Sequence, residues 1–249
     1  VSSSANTLPG RWDGYDEWVR QSDQVWEFFG RRKEGFFIEV GANDPEIGSQ
    51  TFHLEEQGWS GILVEPQVSL VAQLKARRTR SKVVHAACTS REKSGQGVIH
   101  LPKNAYHGFA TTDPTAEEED VEFDRQEPIT LVTLDSILEE AVTPAVDLLS
   151  VDTQGTELDV LRGFNLGKYR PRLILLEDHV TALDKHRYLQ SEGYKLVRRT
   201  ELNNWYIPEE AAPPKLEPGE RLKLFRKVFL GMPFRKLRAW RHRRQRLAK

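Results

Sequence analysis

Cysteine is almost missing from this chain of 249 residues, with Cys88 the single example. No intramolecular disulfide framework can form, and the composition fits a reducing compartment. No apolar run approaches the roughly 18 residues needed to cross a bilayer. Val1-Ser2-Ser3-Ser4 shows no charged-then-apolar leader pattern, although a start without methionine leaves a removed leader open. A cytoplasmic protein is therefore expected. Also absent is G-x-G-x-x-G, the turn that seats a dinucleotide's pyrophosphate, which argues against a nicotinamide enzyme.

What is present suits one α/β core with appendages, because the chain is too short for two full catalytic domains. The net charge of -1 conceals a strong asymmetry. Residues 221–249 hold 12 of the 36 Lys/Arg and no Asp/Glu, so the first 220 carry 24 basic against 37 acidic residues, a balance of -13. Such a tail suits an anionic partner, while the body does not.

Trp12 to Phe29 reads as an amphipathic helix capped by Asp13, with Tyr15, Trp18, Val19, Trp26 and Phe29 on its packed face. Strands are expected at Phe36–Val40, Ile62–Glu65, Val83–Ala87, Val146–Val151 and Leu173–Glu177. Helices are expected over Ser49–Gln57, from Val68 with Val68, Leu70, Val71 and Leu74 as the buried stripe, and over Leu134–Glu140, Gly155–Arg162 and Thr181–Glu192. Tyr194–Val197 and Trp205–Ile207 form an antiparallel pair. Alternation of this kind predicts a doubly wound, mostly parallel open sheet with a C-terminal antiparallel hairpin. Ser90–Gln126, with its glycines and prolines, reads as a hairpin and mobile loop inserted into the core, and its run Glu117–Asp120 as a solvated loop. The expected division is an N-terminal helical region (1–34), a catalytic domain (35–207), a proline-rich linker (208–220) and a basic amphipathic extension (221–249) kinked at Pro233.

Phe36-Phe-Ile-Glu-Val40 stops at Gly41, and Ile62-Leu-Val64 stops at Glu65, 24 residues later. These are the strand ends of a nucleoside-binding sheet: glycine lets a ligand approach the first turn, and a carboxylate can accept both ribose hydroxyls. With no diphosphate cradle, S-adenosylmethionine meets the description, its ammonium group held by Glu39 or Asp44. Cys88, after the third strand, is expected to line the adenine pocket as an inert apolar group.

The strings Phe37-Ile-Glu-Val-Gly-Ala-Asn-Asp44, Gly48-Ser-Gln-Thr51, Gly58-Trp-Ser-Gly-Ile-Leu-Val-Glu-Pro66 and Leu148-Leu-Ser-Val-Asp-Thr-Gln-Gly-Thr-Glu-Leu-Asp-Val-Leu-Arg-Gly163 together resemble the FkbM-type methyltransferases. The resemblance covers about Gly35 to Tyr206. It implies a Rossmann-like class I methyltransferase that uses S-adenosylmethionine, typically on hydroxyls of sugars, glycans or polyketides. It makes Glu39, Gly41, Ala42, Asn43, Asp44, Ser49, Glu65 and Pro66 cofactor contacts and sets Asp152 beside the transferred methyl. Two positions depart from the family pattern: Pro45 stands where glycine is common, and Gln154 where glutamate is frequent.

Transfer to an alcohol needs an acceptor for the hydroxyl proton. Asp152, Glu177, Asp178 and His179 share the carboxyl rim of the sheet, and His179 is the first choice as base, with Asp152 and Glu177 as catalytic partners. Asp152 with Glu177 or Asp178 could alternatively hold Mg²⁺. Glu157 is explained by its helix dipole, and the remaining histidines show no metal-ligand spacing. The tail suits an anionic membrane surface, with packing on the body, homo-oligomer contact and nucleic acid as alternatives. An O-methyltransferase acting on a sugar hydroxyl of a glycan or glycolipid, peripheral at the inner membrane surface, is the expected function. Its rivals are a catalytically inert binding module tethered by the tail, and a nucleotide-modifying enzyme that would need Tyr106, Phe109 or Trp205 as a base-stacking aromatic.

Overall fold

The computed structural model describes residues 15–103, 107–115, 121–139, 145–200, 202–216 and 219–237. Asp13, Tyr106, the run Glu117–Asp120, Pro218 and the basic residues beyond 237 lie outside that set. Helix α1 (Tyr15–Phe28) precedes strand β1 (Phe36–Val40). There follow α2 (Phe52–Glu56), β2 (Ser60–Glu65), α3 (Val68–Arg77), β3 (Ser81–His85) and β4 (Ala87–Cys88). Strands β5 (Gly95–Pro102) and β6 (Phe123–Val132) lead to α4 (Leu134–Glu139), β7 (Leu148–Val151), α5 (Glu157–Arg162) and α6 (Leu166–Tyr169). The chain continues through β8 (Leu173–Glu177), α7 (Asp184–Ser191), β9 (Tyr194–Thr200), β10 (Asn203–Pro208) and α8 (Glu220–Phe225).

Seven strands form one sheet in the order β3-β2-β1-β7-β8-β10-β9. Pairing is parallel from β3 to β8, and β10 enters antiparallel between β8 and β9. This is the sheet expected of a Rossmann-like class I methyltransferase. The strand order reverses between β1 and β7, so a crevice opens where their carboxyl ends part.

Alternate side chains of each strand serve two separate cores, as the period of two requires. Ile38, Val40, Ile62, Val64, Leu149, Val151, Ile174 and Leu176 pack under α4, α5 and α7. Phe37, Leu63, Leu148, Leu175 and Trp205 pack with Val25 and Phe29, Leu54, Trp59 and Leu74 on the opposite face. Two positions expected on packed stripes are exposed. Val19 is 45 % and Val68 59 % accessible, because α1 turns Gln21, Ser22, Val25 and Phe29 inward and Val68 is only the first residue of α3.

The inserted region contains more structure than its composition suggests. β5 and β6 pair antiparallel, and β6 pairs with β4 in a second, three-stranded sheet. Strand β6 thus begins at Phe123, six residues before the buried Ile129. His100 and Thr111 exchange backbone hydrogen bonds of 2.8 and 3.1 Å, folding residues 107–113 back toward the main sheet.

Arg78, just past α3, is 1 % exposed between the two halves of this framework. Its Nε donates to Glu55 Oε2 at 2.9 Å and its Nη1 lies 3.9 Å from Glu39 Oε2. Nη1 also donates to the Pro45 carbonyl and Ser49 Oγ, and Nη2 to Thr51 Oγ1. Removing one partner of a buried ion pair strands the other charge, which typically costs 3–5 kcal/mol. Arg78→Met should therefore lower the unfolding free energy by about 3–5 kcal/mol in urea titrations. Arg78→Lys should recover only part of that loss, since a point-charge ammonium cannot span the planar fork's acceptors. A loss below about 1 kcal/mol for Arg78→Met would show that the guanidinium does not hold this turn.

Candidate functional site

At the reversal between β1 and β7 lies a cavity that opens to solvent, with about 560 Å³ of empty space when the open solvent at its mouth is included. Its walls come from Val40, Gly41 and Asn43 after β1, Val64, Glu65, Pro66 and Gln67 after β2, and Ala86, Ala87 and Cys88 after β3. Asp152, Thr153 and Thr156 close it from β7 and α5, while Ile99, Gly108, Ala110, Thr111 and Thr112 come from the inserted sheet. Thr111 Oγ1 donates to the Gln154 carbonyl at 3.0 Å, pinning the inserted segment to the turn after β7. Pattern reading did not find these inserted residues. Their small polar side chains carry no periodic signal, and only tertiary folding brings them over the strand ends.

Gly41 takes φ +81° and donates its N–H to the Val64 carbonyl at 2.9 Å. A Cβ here would sit 1.8 Å from the Asp152 backbone oxygen. Glycine is therefore demanded by the close approach of the β1 and β7 ends, rather than only by ligand access. Asn43, at φ +52°, also adopts the left-handed region that asparagine tolerates. That twist points its N–H at Glu65 Oε2, 2.8 Å away.

Glu65 is 2 % exposed, with Oε1 accepting the Gln67 N–H at 2.8 Å. Its carboxylate thus accepts from two backbone N–H groups and also hydrogen-bonds the Gln67 side chain. Burial raises its pKa to about 7 against the lowering pull of those hydrogen bonds. Cys88 is buried in the same wall, and loss of solvation pushes its thiol up to about 12, so it stays an apolar thiol.

Glu39 does not line the cavity, which corrects its expected role. Its side chain lies on the Phe37 side of β1, where it accepts from Gln50 N at 2.7 Å, Ser49 Oγ at 3.0 Å and Thr51 Oγ1 at 2.5 Å. Ser49 belongs to the same buried network and Ala42 to the core beneath it. Asp44 also lies outside the cavity walls: its Oδ1 accepts from Glu46 N and Ile47 N, at 2.9 and 2.7 Å. Of the first-turn residues, Gly41 and Asn43 reach the cavity; of the carboxylates, Glu65 and Asp152 do.

Beyond β7 and β8 the carboxylates of Asp152, Glu157 and Glu177 converge, with ligand-type oxygens all within 4.8 Å of one another. Gln154, at φ +54°, donates from Nε2 to Asp152 Oδ1 at 2.8 Å and Glu177 Oε2 at 2.9 Å. Glu157 accepts from Thr153 N and Gly155 N and pairs with Lys185 Nζ at 3.2 Å, so it belongs to the cluster as well as to its helix start. Lys185 also reaches Asp178 Oδ1 at 3.1 Å, while Asp178 Oδ2 accepts from Asn204. Asp178 is consumed by these partners. Burial, then the Asp152 charge, drives the Glu177 pKa well above the usual carboxylate range. Burial also raises that of Asp152, while its hydrogen bonds with Glu177 and Gln154 oppose this. Burial thus raises both carboxyls, Glu177 the further, and Asp152 is the member that faces the cavity. Lys185 and Gln154 already hold the three carboxylates together, so the donor set does not require Mg²⁺.

His179 follows β8 and is half-buried on the rim, within electrostatic reach of Asp152. Trp205 is fully buried in the sheet core, with its ring N–H on Thr200 Oγ1, and cannot stack on a ligand. Phe109 is half-buried in the inserted segment.

No curated protein matches the chain. Among solved structures, the FkbM methyltransferase from Methylobacillus flagellatus KT is similar at 15 % identity and TM-score 0.46, over 70 % of this chain and 44 % of its own. This chain therefore spans less than half the length of that protein. The TrmK protein of M. capricolum, solved with S-adenosylhomocysteine, is 6 % identical at TM-score 0.43, over 90 % of this chain and 96 % of its own. For the N-terminal domain of human METTL16, also solved with S-adenosylhomocysteine, the figures are 12 %, 0.41, 80 % and 71 %. The family model for the Methyltransferase FkbM domain matches residues 39–196, from the buried Glu39 through the switch-point crevice and the acid cluster into β9. By that match over more than half its length, the chain belongs to the FkbM methyltransferase family.

Proposed function

We propose that the switch-point cavity binds S-adenosylmethionine and that the protein methylates a hydroxyl, with a sugar of a glycan or glycolipid as the acceptor class. Glu65 carries this reading: it is a buried carboxylate at the end of β2 whose two oxygens, fixed by Asn43 N, Gln67 N and the Gln67 side chain, line the switch-point crevice. Two vicinal ribose hydroxyls match that donor-seeking pair. The apolar surfaces of Ala86, Cys88 and Ile99 suit an adenine ring, and Asp152 is the cavity carboxylate available to an ammonium or sulfonium group. Bound there, the cofactor supplies a methyl group on a sulfonium, an electrophile that needs no metal or acid to activate it.

This chain's own task is then to orient the acceptor and receive its proton. His179 takes the hydroxyl proton as general base, and the ionised Asp152 stabilises the imidazolium that results. Glu177, protonated, donates to Asp152 and keeps its charge on one site. Water exclusion falls to the inserted segment, whose Thr111 anchors it over the crevice.

Calorimetry with S-adenosylhomocysteine tests the cofactor site. Because Glu65 in the free protein holds its proton up to about pH 7, binding below that pH must release it. Affinity should fall as pH drops below 7, by at most about tenfold per unit, and should level off above. Glu65→Gln should bind more weakly and show no such slope. A folded sample that fails to bind the product at any pH would end this reading.

Turnover assays across sugars and lipid-linked glycans, read as the gain of one methyl by mass spectrometry, test the chemistry. His179→Ala should lower kcat by about 10²–10⁴ and leave S-adenosylhomocysteine affinity unchanged, as expected of a proton acceptor outside the cofactor contacts. Asp152→Asn should lower both. Undiminished kcat in His179→Ala would remove the histidine from the mechanism.

A further inference from the structure

The segment after the proline-rich stretch has two faces. α8 runs into a π-helical turn at Arg226–Leu230, closed by the Gly231 N–H on the Arg226 carbonyl at 2.8 Å, and helix resumes over 232–237. One face is docked on the body. Val228 is 1 % exposed, the Phe229 ring meets His186 edge-on at 5.7 Å, and Arg235 Nε donates to the Val180 carbonyl at 3.2 Å. Val180 follows His179, so docking occurs at the catalytic rim.

The other face is open. Leu222, Phe225, Leu230, Phe234 and Leu237 are between 46 % and 77 % exposed. Their spacings are three, five, four and three residues. The interval of five spans the π-helical turn, where the wider winding keeps Leu230 in line with Phe225. A regular α-helix would have rotated the stripe away from itself at this point. Around it stand the exposed cations Arg221, Arg226, Lys227 and Lys236, and residues 221–249 contain no acid.

We infer that this outer face is a docking surface for an anionic lipid bilayer, holding the catalytic rim against the membrane. Charge complementarity selects the partner: the first 220 residues, at -13, are repelled by an anionic surface, and only this segment is attracted. Large apolar side chains select bilayer over nucleic acid, because acyl chains bury Leu and Phe while phosphates of a nucleic-acid backbone do not. A helical stripe of exposed Leu and Phe flanked by cations suits attachment in the interface plane. This inference does not depend on which acceptor is methylated.

Co-sedimentation of the full chain with phosphatidylcholine vesicles, with and without about 30 mol % phosphatidylglycerol, tests it. Binding is expected only to the anionic vesicles, and it should weaken as salt rises from roughly 0.1 to 0.5 M. Arg226→Gln, Lys227→Gln and Lys236→Gln combined should lower affinity roughly a hundredfold, at about 1 kcal/mol per cation. Phe225→Ser, Leu230→Ser and Phe234→Ser combined should abolish binding with every charge retained, circular dichroism confirming the fold. Absence of binding to anionic vesicles would overturn the proposal. So would undiminished binding of the apolar variant, tighter binding to single-stranded RNA that ignores that variant, or light scattering that shows the stripe buried between two copies of the chain.

Discussion

A single buried guanidinium governs the geometry of the cofactor turn. Arg78 joins Glu39 at the end of β1 to Glu55 in α2, and it ties down the Pro45 carbonyl, Ser49 and Thr51 between them. The turn from 41 to 51 can then leave β1 sharply, with Gly41 against the Asp152 carbonyl and Asn43 twisted to meet Glu65. Two carboxylates around one cation would leave net buried charge. Burial accordingly raises the Glu39 pKa, while Arg78, Thr51, Gln50 and Ser49 pull it back. The hydroxyls and backbone donors of this turn are therefore part of its charge balance, and the short α2 starts only after they are committed.

Four acids end or nearly end strands of the same sheet, and their surroundings separate their tasks. Glu39 is saturated with donors and carries structure. Glu65 accepts from two backbone donors and the Gln67 side chain and lines the crevice. Asp152 and Glu177 share a coupled site in which burial raises both, Glu177 the further. The same side-chain chemistry thus yields a structural brace, a crevice wall and a coupled buried pair, set by hydrogen-bond partners and solvation rather than by residue type.

Strand positions and the switch point were legible because a buried parallel strand must be apolar throughout and must stop where the ligand crevice begins. Phe36–Val40 and Leu173–Glu177 emerged at their observed limits, and Ile62–Glu65 within two residues of its own. Which side of the sheet a carboxylate faces was not legible. Glu39 and Val40 are neighbours, yet one meets Arg78 and the other the cavity, and the arginine responsible sits in Arg77-Arg78-Thr-Arg80, which reads as a solvated helix end. The cavity's outer wall was equally hidden: Gly108, Ala110 and Thr111 have no pattern of their own, and the hairpin that presents them begins well before its apolar residues.

Gln154 shows why a departure from the family pattern need not be a loss. A glutamate there would press a fourth carboxylate against Asp152, Glu157 and Glu177, with only Lys185 opposing them; like charges at such separations cost several kcal/mol even at an effective dielectric constant of about 20. The carboxamide instead donates to both Asp152 and Glu177, using the left-handed backbone at φ +54° to reach them from one nitrogen. Its own carbonyl is occupied by Thr111 from the inserted sheet. One residue therefore couples the acid pair, the turn after β7 and the cover of the cavity. Any shift of that cover on ligand entry would be felt at the atoms that decide which carboxylate holds the proton.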